Sequence, residues 1–260
     1  MPRTQRLRAL GLLCALAFAS ACATTGDPDP WRNTNEKVFR FNERVDKGLL
    51  EPVAKGYDQV SPGFFQTMIG NFFQNLSVPR TFVNNLLQGE PLQATQDFGR
   101  LLVNTTFGVA GFFDVASKAG MREDEEDFGQ TLGVWGVGPG PYVMVPLAGP
   151  FTVRDAAASP LDIASNPTTW LNVFGISVVR VVNTRAQFLE EVAQARKDAV
   201  DYYVFVRDAY LTSRERDVRD GAAAEAVSDD LYDIDDLEDD EASEGAETDA
   251  SDATDDAQQP

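Results

Sequence analysis

Residues 64–76 read FFQTMIGNFFQNL. The apolar members Phe64, Phe65, Met68, Ile69, Phe72, Phe73 and Leu76 recur at i, i+1, i+4, i+5, i+8, i+9 and i+12, a helical period with a wide aromatic stripe on one face. Ser61 and Pro62 stand where an N-cap and a first turn are expected. Working outward, Val38, Phe41, Val45 and Leu49 make a second stripe between Trp31 and Glu51. Further helices are expected at Arg80–Leu87, Pro91–Thr105 and Trp170–Asn183. Phe188, Val192, Ala195, Ala199, Tyr202, Val206 and Tyr210 then hold a 3/4 spacing over about six turns. Only Tyr142–Pro146 reads as extended chain or a short strand. The body is therefore mostly α, from about Trp31 to Arg216.

Between these segments lie many Gly and Pro breaks. The densest runs from Gly133 to Tyr142, where Gly136, Gly138 and Gly140 alternate with Pro139 and Pro141. Glycine admits backbone angles that other residues resist, and proline limits the rest, so a shaped loop with several possible hinges is expected. The formal net charge of −19 is uneven: Asp217–Pro260 holds 18 acidic residues and one basic, net −17, which leaves −2 for Met1–Arg216. The acidic stretch 217–260 has little bulky apolar content and reads as a disordered tail. A near-neutral body offers no basic face for nucleic acid.

The first residues read as an address. Arg3, Arg6 and Arg8 precede an apolar run, Ala9–Ala19, too short to span a bilayer. It ends in Ala19-Ser20-Ala21-Cys22, which resembles a lipobox. Residues 1–21 are thus expected to leave as a signal peptide, with Cys22 the acylated first residue and 22–30 a turn-rich tether. The alternative is an ordinary secretory signal with an incidental cysteine. A multiply acylated cysteine anchors firmly, since each buried methylene contributes ~0.8 kcal/mol and stable anchoring takes about two chains. Ala23 instead of Asp after the cysteine fits sorting to an outer membrane, by resemblance to bacterial lipoproteins.

Chemistry-bearing motifs are scarce. The chain has no histidine, and both its cysteines, Cys14 and Cys22, lie near the N-terminus. Imidazole acid–base work, His-ligated zinc and Ser-His-Asp machinery are thereby excluded. No P-loop, dinucleotide fingerprint, nucleophile elbow or C-x-x-C occurs. Met121–Asp127 (MREDEED) lacks the spacing of an EF-hand and reads as a solvated acidic turn, not a metal site. Asp114 and Asp155 offer only an unspecific carboxylate pair. No catalytic residue, metal or cofactor is expected. The aromatic stripe at 64–76 and the string Phe107–Phe113 (FGVAGFF) leave two readings: core residues of a compact helical domain, or faces that meet lipid beside an anchor.

In order along the chain stand Asp29-Pro30-Trp31, Asn35, Phe41-Asn42, Pro52-Val53-Ala54, Asn71–Leu76 and Val83–Gly89. They continue with Val103–Thr106, Gly111–Asp114, Asp127–Gly133 (DFGQTLG), Gly140-Pro141-Tyr142 and Arg154-Asp155. With these strings the chain resembles the VacJ/MlaA family of outer-membrane lipoproteins from Asp29 to Asp155. The resemblance implies a helical, ring-like body in the inner leaflet of the outer membrane, anchored at the periplasmic face. It also implies an amphipathic channel that removes misplaced phospholipids, a trimeric porin partner and a soluble periplasmic lipid carrier. Gly136, Gly138, Gly140 and Tyr142 then become the expected lining or gate of that channel, against the alternative of a fixed connector. A structural lipoprotein acting as a protein-binding module is the competing function.

Overall fold

The computed structural model describes residues 27–122, 124–170 and 174–219. The expected signal peptide, Cys22 and most of the expected tether and tail lie outside the described residues. Contacts divide the chain at Val218, and of the second unit, Arg219–Pro260, only Arg219 is described. The expected tail boundary at Asp217 falls inside a helix that runs to 219.

The body is helical with one small hairpin. Helix α1 (Arg32–Val45) passes through a π-helical turn, Asp46–Leu50, into α2 (Glu51–Val60). Pro52 removes the N–H that would bond the Gly48 carbonyl, and the helix widens over the turn holding that carbonyl. Helix α3 spans Gly63–Gln88 with Pro62 as N-cap. The expected Ser61 cap is displaced by one residue, and the two separate helices expected at 64–76 and 80–87 are one, running through Pro79. Gly89 (φ 85°) closes α3 in the left-handed conformation, with Glu90 N–H bonding Asn85 O at 2.8 Å. Helix α4 (Pro91–Thr106) then starts with proline at its first position and folds back on α3.

Short helices follow, each started by a side chain that satisfies an orphan N–H. Asp114 caps α5 (Val115–Lys118), Asp127 caps α6 (Phe128–Val134) and Thr152 caps α7 (Val153–Ser165). The expected strand is present as β1 (Tyr142–Val145), paired antiparallel with β2 (Gly149–Thr152), which its Gly and Pro concealed. Helices α8 (Pro167–Trp170), α9 (Phe174–Gln187), α10 (Leu189–Asp198) and α11 (202–219) complete the body. The six-turn helix expected over 188–210 is two. Ala199 is extended, and Asp201 Oδ1 accepts from the N–H groups of Tyr203 and Val204, starting α11 afresh. Among the described residues no helix is long and apolar enough to cross a membrane.

One part of the body has an ordinary apolar core. Tyr142, Met144 and Tyr203 are buried together, with Val38, Phe39, Val204, Tyr210 and Leu211 packed on them. The Tyr142 and Tyr203 rings meet edge-on at 6.3 Å, and Phe39 meets Tyr203 at 5.5 Å. Asn35 ties this core to the hairpin: its amide donates to Tyr142 O and Asp29 Oδ1, and its oxygen accepts from Met144 N–H at 3.0 Å. Asn42 does the same for the hairpin turn, donating to Val145 O and accepting from Leu147 N–H. Leu147 is held there at φ 63°.

Candidate functional site

Helices α3 and α4 are built the other way round. The buried residues of α3 are Gln66, Phe73, Asn75, Ser77, Thr81, Asn84, Asn85 and Gln88, so one apolar ring sits among seven polar side chains. Several of its apolar members point outward: Phe64 is 69% exposed, and Phe65, Val83, Leu86 and Leu87 are exposed too, while Met68, Ile69, Phe72, Leu76, Val78 and Phe82 are half-buried. Helix α4 repeats the inversion, burying Asp97, Arg100 and Asn104 while Leu92, Phe98 and Leu102 face out. A helix packed for water does the reverse. The reading of the 64–76 stripe as core therefore fails for Phe64 and Phe65, and it holds for Phe73.

The polar interior is hydrogen-bonded helix to helix. Asn85 donates to Asp97 at 2.6 Å, and Gln88 donates to Glu126 at 2.6 Å and to Thr131 at 3.2 Å. Thr131 donates on to Asn84. Arg100 donates to Ser117 and to the Met121 carbonyl, and with Asn104 it holds Asp114. Burial disfavours the charged form of two carboxyls here, pushing Asp97 up to about 6 and Glu126 up to about 8. Glu126 is 4% exposed, so the acidic run 121–127 is not wholly the solvated turn that its composition suggests. Its last member, Asp127, caps α6 and pairs with Arg214. Among the described residues no acidic cluster could hold a metal ion.

Four buried amide oxygens, of Asn75, Asn85, Gln88 and Gln130, have no partner among the described residues. Of these four residues Asn75 lines a cavity of about 20 Å³, together with Asn71, Gln74, Asp97, Arg100 and Asn104 among others. That is room for about one water. The interior between α3 and α4 is thus polar and carries spare hydrogen-bonding capacity.

Gly136 (φ 87°) and Gly140 (φ 66°) adopt conformations that favour glycine, while Gly138 does not and has open space where a side chain would stand. The loop is tied at many points: Trp135 Nε1 donates to Leu87 O, Val137 N–H to Leu132 O, and the N–H groups of Arg154 and Val153 to Pro139 O and Pro141 O. Tyr142, grouped with the loop on sequence, lies in β1 at the centre of the aromatic core, fully buried. The loop glycines and Tyr142 therefore share a chain segment but not a surface. Asp114 and Asp155 are engaged with separate partners, Asp114 with Arg100, Asn104 and the Ser117 N–H and Asp155 with Arg154, Tyr210 and Arg214. Asp155 is raised by burial, yet bonds from Arg214 and Tyr210 outweigh this and hold it at about 2.

Sequence reading missed the partners of Asp155. Arg214 on α11 donates to both Asp127 and Asp155, joining α6, α7 and α11. The glycines of DFGQTLG make that approach possible: a Cβ on Gly129 would stand 2.5 Å from Asp155 Oδ1, and one on Gly133 would stand 2.6 Å from Arg154 Nη1. The polar stripe of α3 has a signal in the sequence: Ser77, Thr81, Asn84 and Gln88 follow each other at 4, 3 and 4 residues.

The MlaA lipoprotein family model matches residues 27–217. The chain is 35% identical over 247 residues to the intermembrane phospholipid transport system lipoprotein MlaA of Shigella flexneri, covering 88% of this chain and 98% of that protein. The protein of the same name from Escherichia coli K12 gives the same identity and coverage. That of Haemophilus influenzae is 33% identical over 230 residues, 83% of this chain and 91% of its own. A solved structure described as "Structural basis for maintenance of bacterial outer membrane lipid asymmetry" superposes with a TM-score of 0.66 at 35% identity, covering 74% of this chain and all of its own.

Proposed function

The chain belongs to the MlaA lipoprotein family, and from this we propose that it transports phospholipid at the outer membrane and so maintains lipid asymmetry there, without catalysing a reaction. The observation that carries the proposal is the inverted burial of α3 and α4. Apolar residues such as Leu92 (81% exposed) face outward, where hydrocarbon accepts them, and amides and charges face inward. A diacyl lipid has the same two requirements. Its tails need apolar surroundings at ~0.8 kcal/mol per methylene, and its headgroup needs hydrogen-bond partners. A body with an apolar outside and a polar inside lowers the barrier to moving the headgroup while the tails stay in the membrane. Without a nucleotide site it cannot drive the movement uphill, so direction comes from partners. We infer these to be a soluble periplasmic lipid carrier and a trimeric outer-membrane porin.

On this reading Cys22 carries the acyl anchor at the periplasmic face, and the loop at Gly136, Gly138 and Gly140 gates or lines the lipid path. The competing reading, a structural protein-binding module, predicts no lipid movement. The deciding experiment reconstitutes the acylated protein in vesicles with labelled phospholipid and adds a periplasmic carrier. Label reaching the carrier only when the protein is present is expected, and no protein-dependent transfer would overturn the proposal. Substituting Gly138→Ala meets open space and normal backbone angles. A change in transfer per folded, membrane-bound molecule is therefore expected from altered flexibility alone, and an unchanged rate sinks the gate. Cys22→Ser should release the protein from the outer membrane on fractionation.

A further inference from the structure

A second surface of the body combines apolar lining with an unneutralised cation. Leu50 of the π turn, Phe73 of α3, Val181 of α9, Phe188, and Val192 of α10 line an open groove of about 700 Å³. This lies within the ~300–1,000 Å³ usual for small-molecule sites. Ser177, Arg180, Val181 and Thr184 follow at i, i+3, i+4 and i+7, so one face of α9 supplies both its polar edge and part of its apolar wall.

The two charged residues of the groove differ. Arg185 is spent: its guanidinium takes both oxygens of Asp46, at 2.9 and 3.1 Å, and that carboxylate also receives Arg196 at 2.6 Å. Arg180 is half-buried and makes no hydrogen bond or ion pair among the described residues. Among the described residues no carboxylate lines the groove. An occupant must therefore bring its own anion to Arg180 and an apolar portion to Phe73, Val181 and Phe188.

We propose that this groove seats a phospholipid, with the phosphate on Arg180 and an acyl chain along Leu50, Phe73 and Val192. A guanidinium matches phosphate oxygens with two parallel bonds, and the Ser177 and Thr184 hydroxyls lie on the same helix face to take the remaining oxygens. The inference rests on the transport reading and adds to it a stated lipid position and a preference for a phosphate-bearing headgroup.

The test uses the full-length acylated protein in detergent, titrated with phosphatidylglycerol carrying a fluorescent acyl chain and with the matching diacylglycerol. Wild-type protein should prefer the phospholipid by about tenfold, the scale of one charge-assisted contact. Arg180→Glu should bring the ratio to about one while diacylglycerol binding holds, and Arg180→Lys should keep part of the preference. A wild-type ratio near one, or a ratio that Arg180→Glu leaves unchanged, overturns the groove. Vesicle-to-carrier transfer on the same preparations separates the two claims. Transfer with no phosphate preference sinks the groove and leaves transport standing. Phosphate preference with no transfer supports the groove and sinks the transport reading.

Discussion

The hairpin region and the α3–α4 region are made from the same residue types in opposite arrangement. Around β1, rings and aliphatic chains fill the interior: Tyr142, Met144 and Tyr203 are buried, Asn35 and Asp29 among them are hydrogen-bonded, and the Tyr142 hydroxyl has no partner among the described residues. Around α3 and α4 the buried side chains are mainly amide, hydroxyl and charged groups, with Phe73 and Ala94 among them, and several large apolar side chains are exposed. The first arrangement is held by burial, which is proportional to area and indifferent to direction. The second is held by hydrogen bonds, each modest in net terms and costly when one partner is lost. One body thus draws its stability from different sources in its two parts.

That contrast can be broken by substitution. The largest loss is expected from Tyr142→Ala, which empties a fully buried ring site and should cost about 3–5 kcal/mol in denaturant unfolding. Asn85→Ala removes no large volume, but it strips buried Asp97 of its donor and should cost about 1–3 kcal/mol. A loss equal to that of Tyr142→Ala would mean that the polar interior also holds by packing.

The two buried carboxyls of the α3–α4 region make its stability depend on pH. Asp97 at about 6 and Glu126 at about 8 are raised by burial, so the folded state keeps protons that the unfolded chain has released. Their contribution is fully present below the ordinary carboxylate range and is lost as pH rises through 6 and then 8. Wild-type thermal stability should therefore fall between pH 5 and 9, and Glu126→Gln should flatten that fall. Asp155, held at about 2, works oppositely: its contribution is present above the ordinary carboxylate range and is lost as pH falls from that range through 2. An unchanged slope in Glu126→Gln would show that the carboxyl is not the titrating group. The smallest effect on stability is expected from Leu102→Lys, within about 0.5 kcal/mol because the site is half-exposed. In a Cys22→Ser background the same change should weaken residual membrane association, as a charge on a lipid-facing surface does. Unaltered association would mean that this face does not meet lipid.

Much of the helical fold was legible because the 3/4 period does not depend on which way a helix faces. The direction was not legible from the aromatic stripe alone. Phe64 and Phe73 lie in the same run, yet one is exposed and the other buried. It was legible from the opposite face, where Ser77, Thr81, Asn84 and Gln88 keep the same period with polar groups. Breaks were misjudged for local reasons. Pro79 removes one backbone donor without ending α3, whereas Asp201 ends a longer pattern by offering its carboxylate to two new N–H groups. The resemblance strings proved largely structural. Asp29, Asn35 and Asn42 dock the hairpin, while Asp127, Gly129 and Asp155 converge on Arg214, which lies beyond the matched strings.

The segment after α4 carries a consequence of its own. Val109, Ala110 and Gly111 take φ values of 53°, 57° and 90° in succession, a left-handed turn with Val109 exposed and Phe107 projecting beside it. The turn is kept by Ala110 and Gly111 N–H groups bonding back to Thr105 O and Asn104 O, and Phe112 stacks on Phe72 at 4.9 Å. For residues with a side chain that conformation costs roughly 1–2 kcal/mol each, and a β-branched residue is the worst suited to it. Glycine or asparagine at 109 would relax the turn, yet valine stands there. A segment that holds an apolar, branched tip against its own backbone preference is one in which stability and use pull apart. Val109→Gly should therefore yield a more stable protein, and one whose outward-facing tip has lost its grip on whatever apolar medium surrounds it.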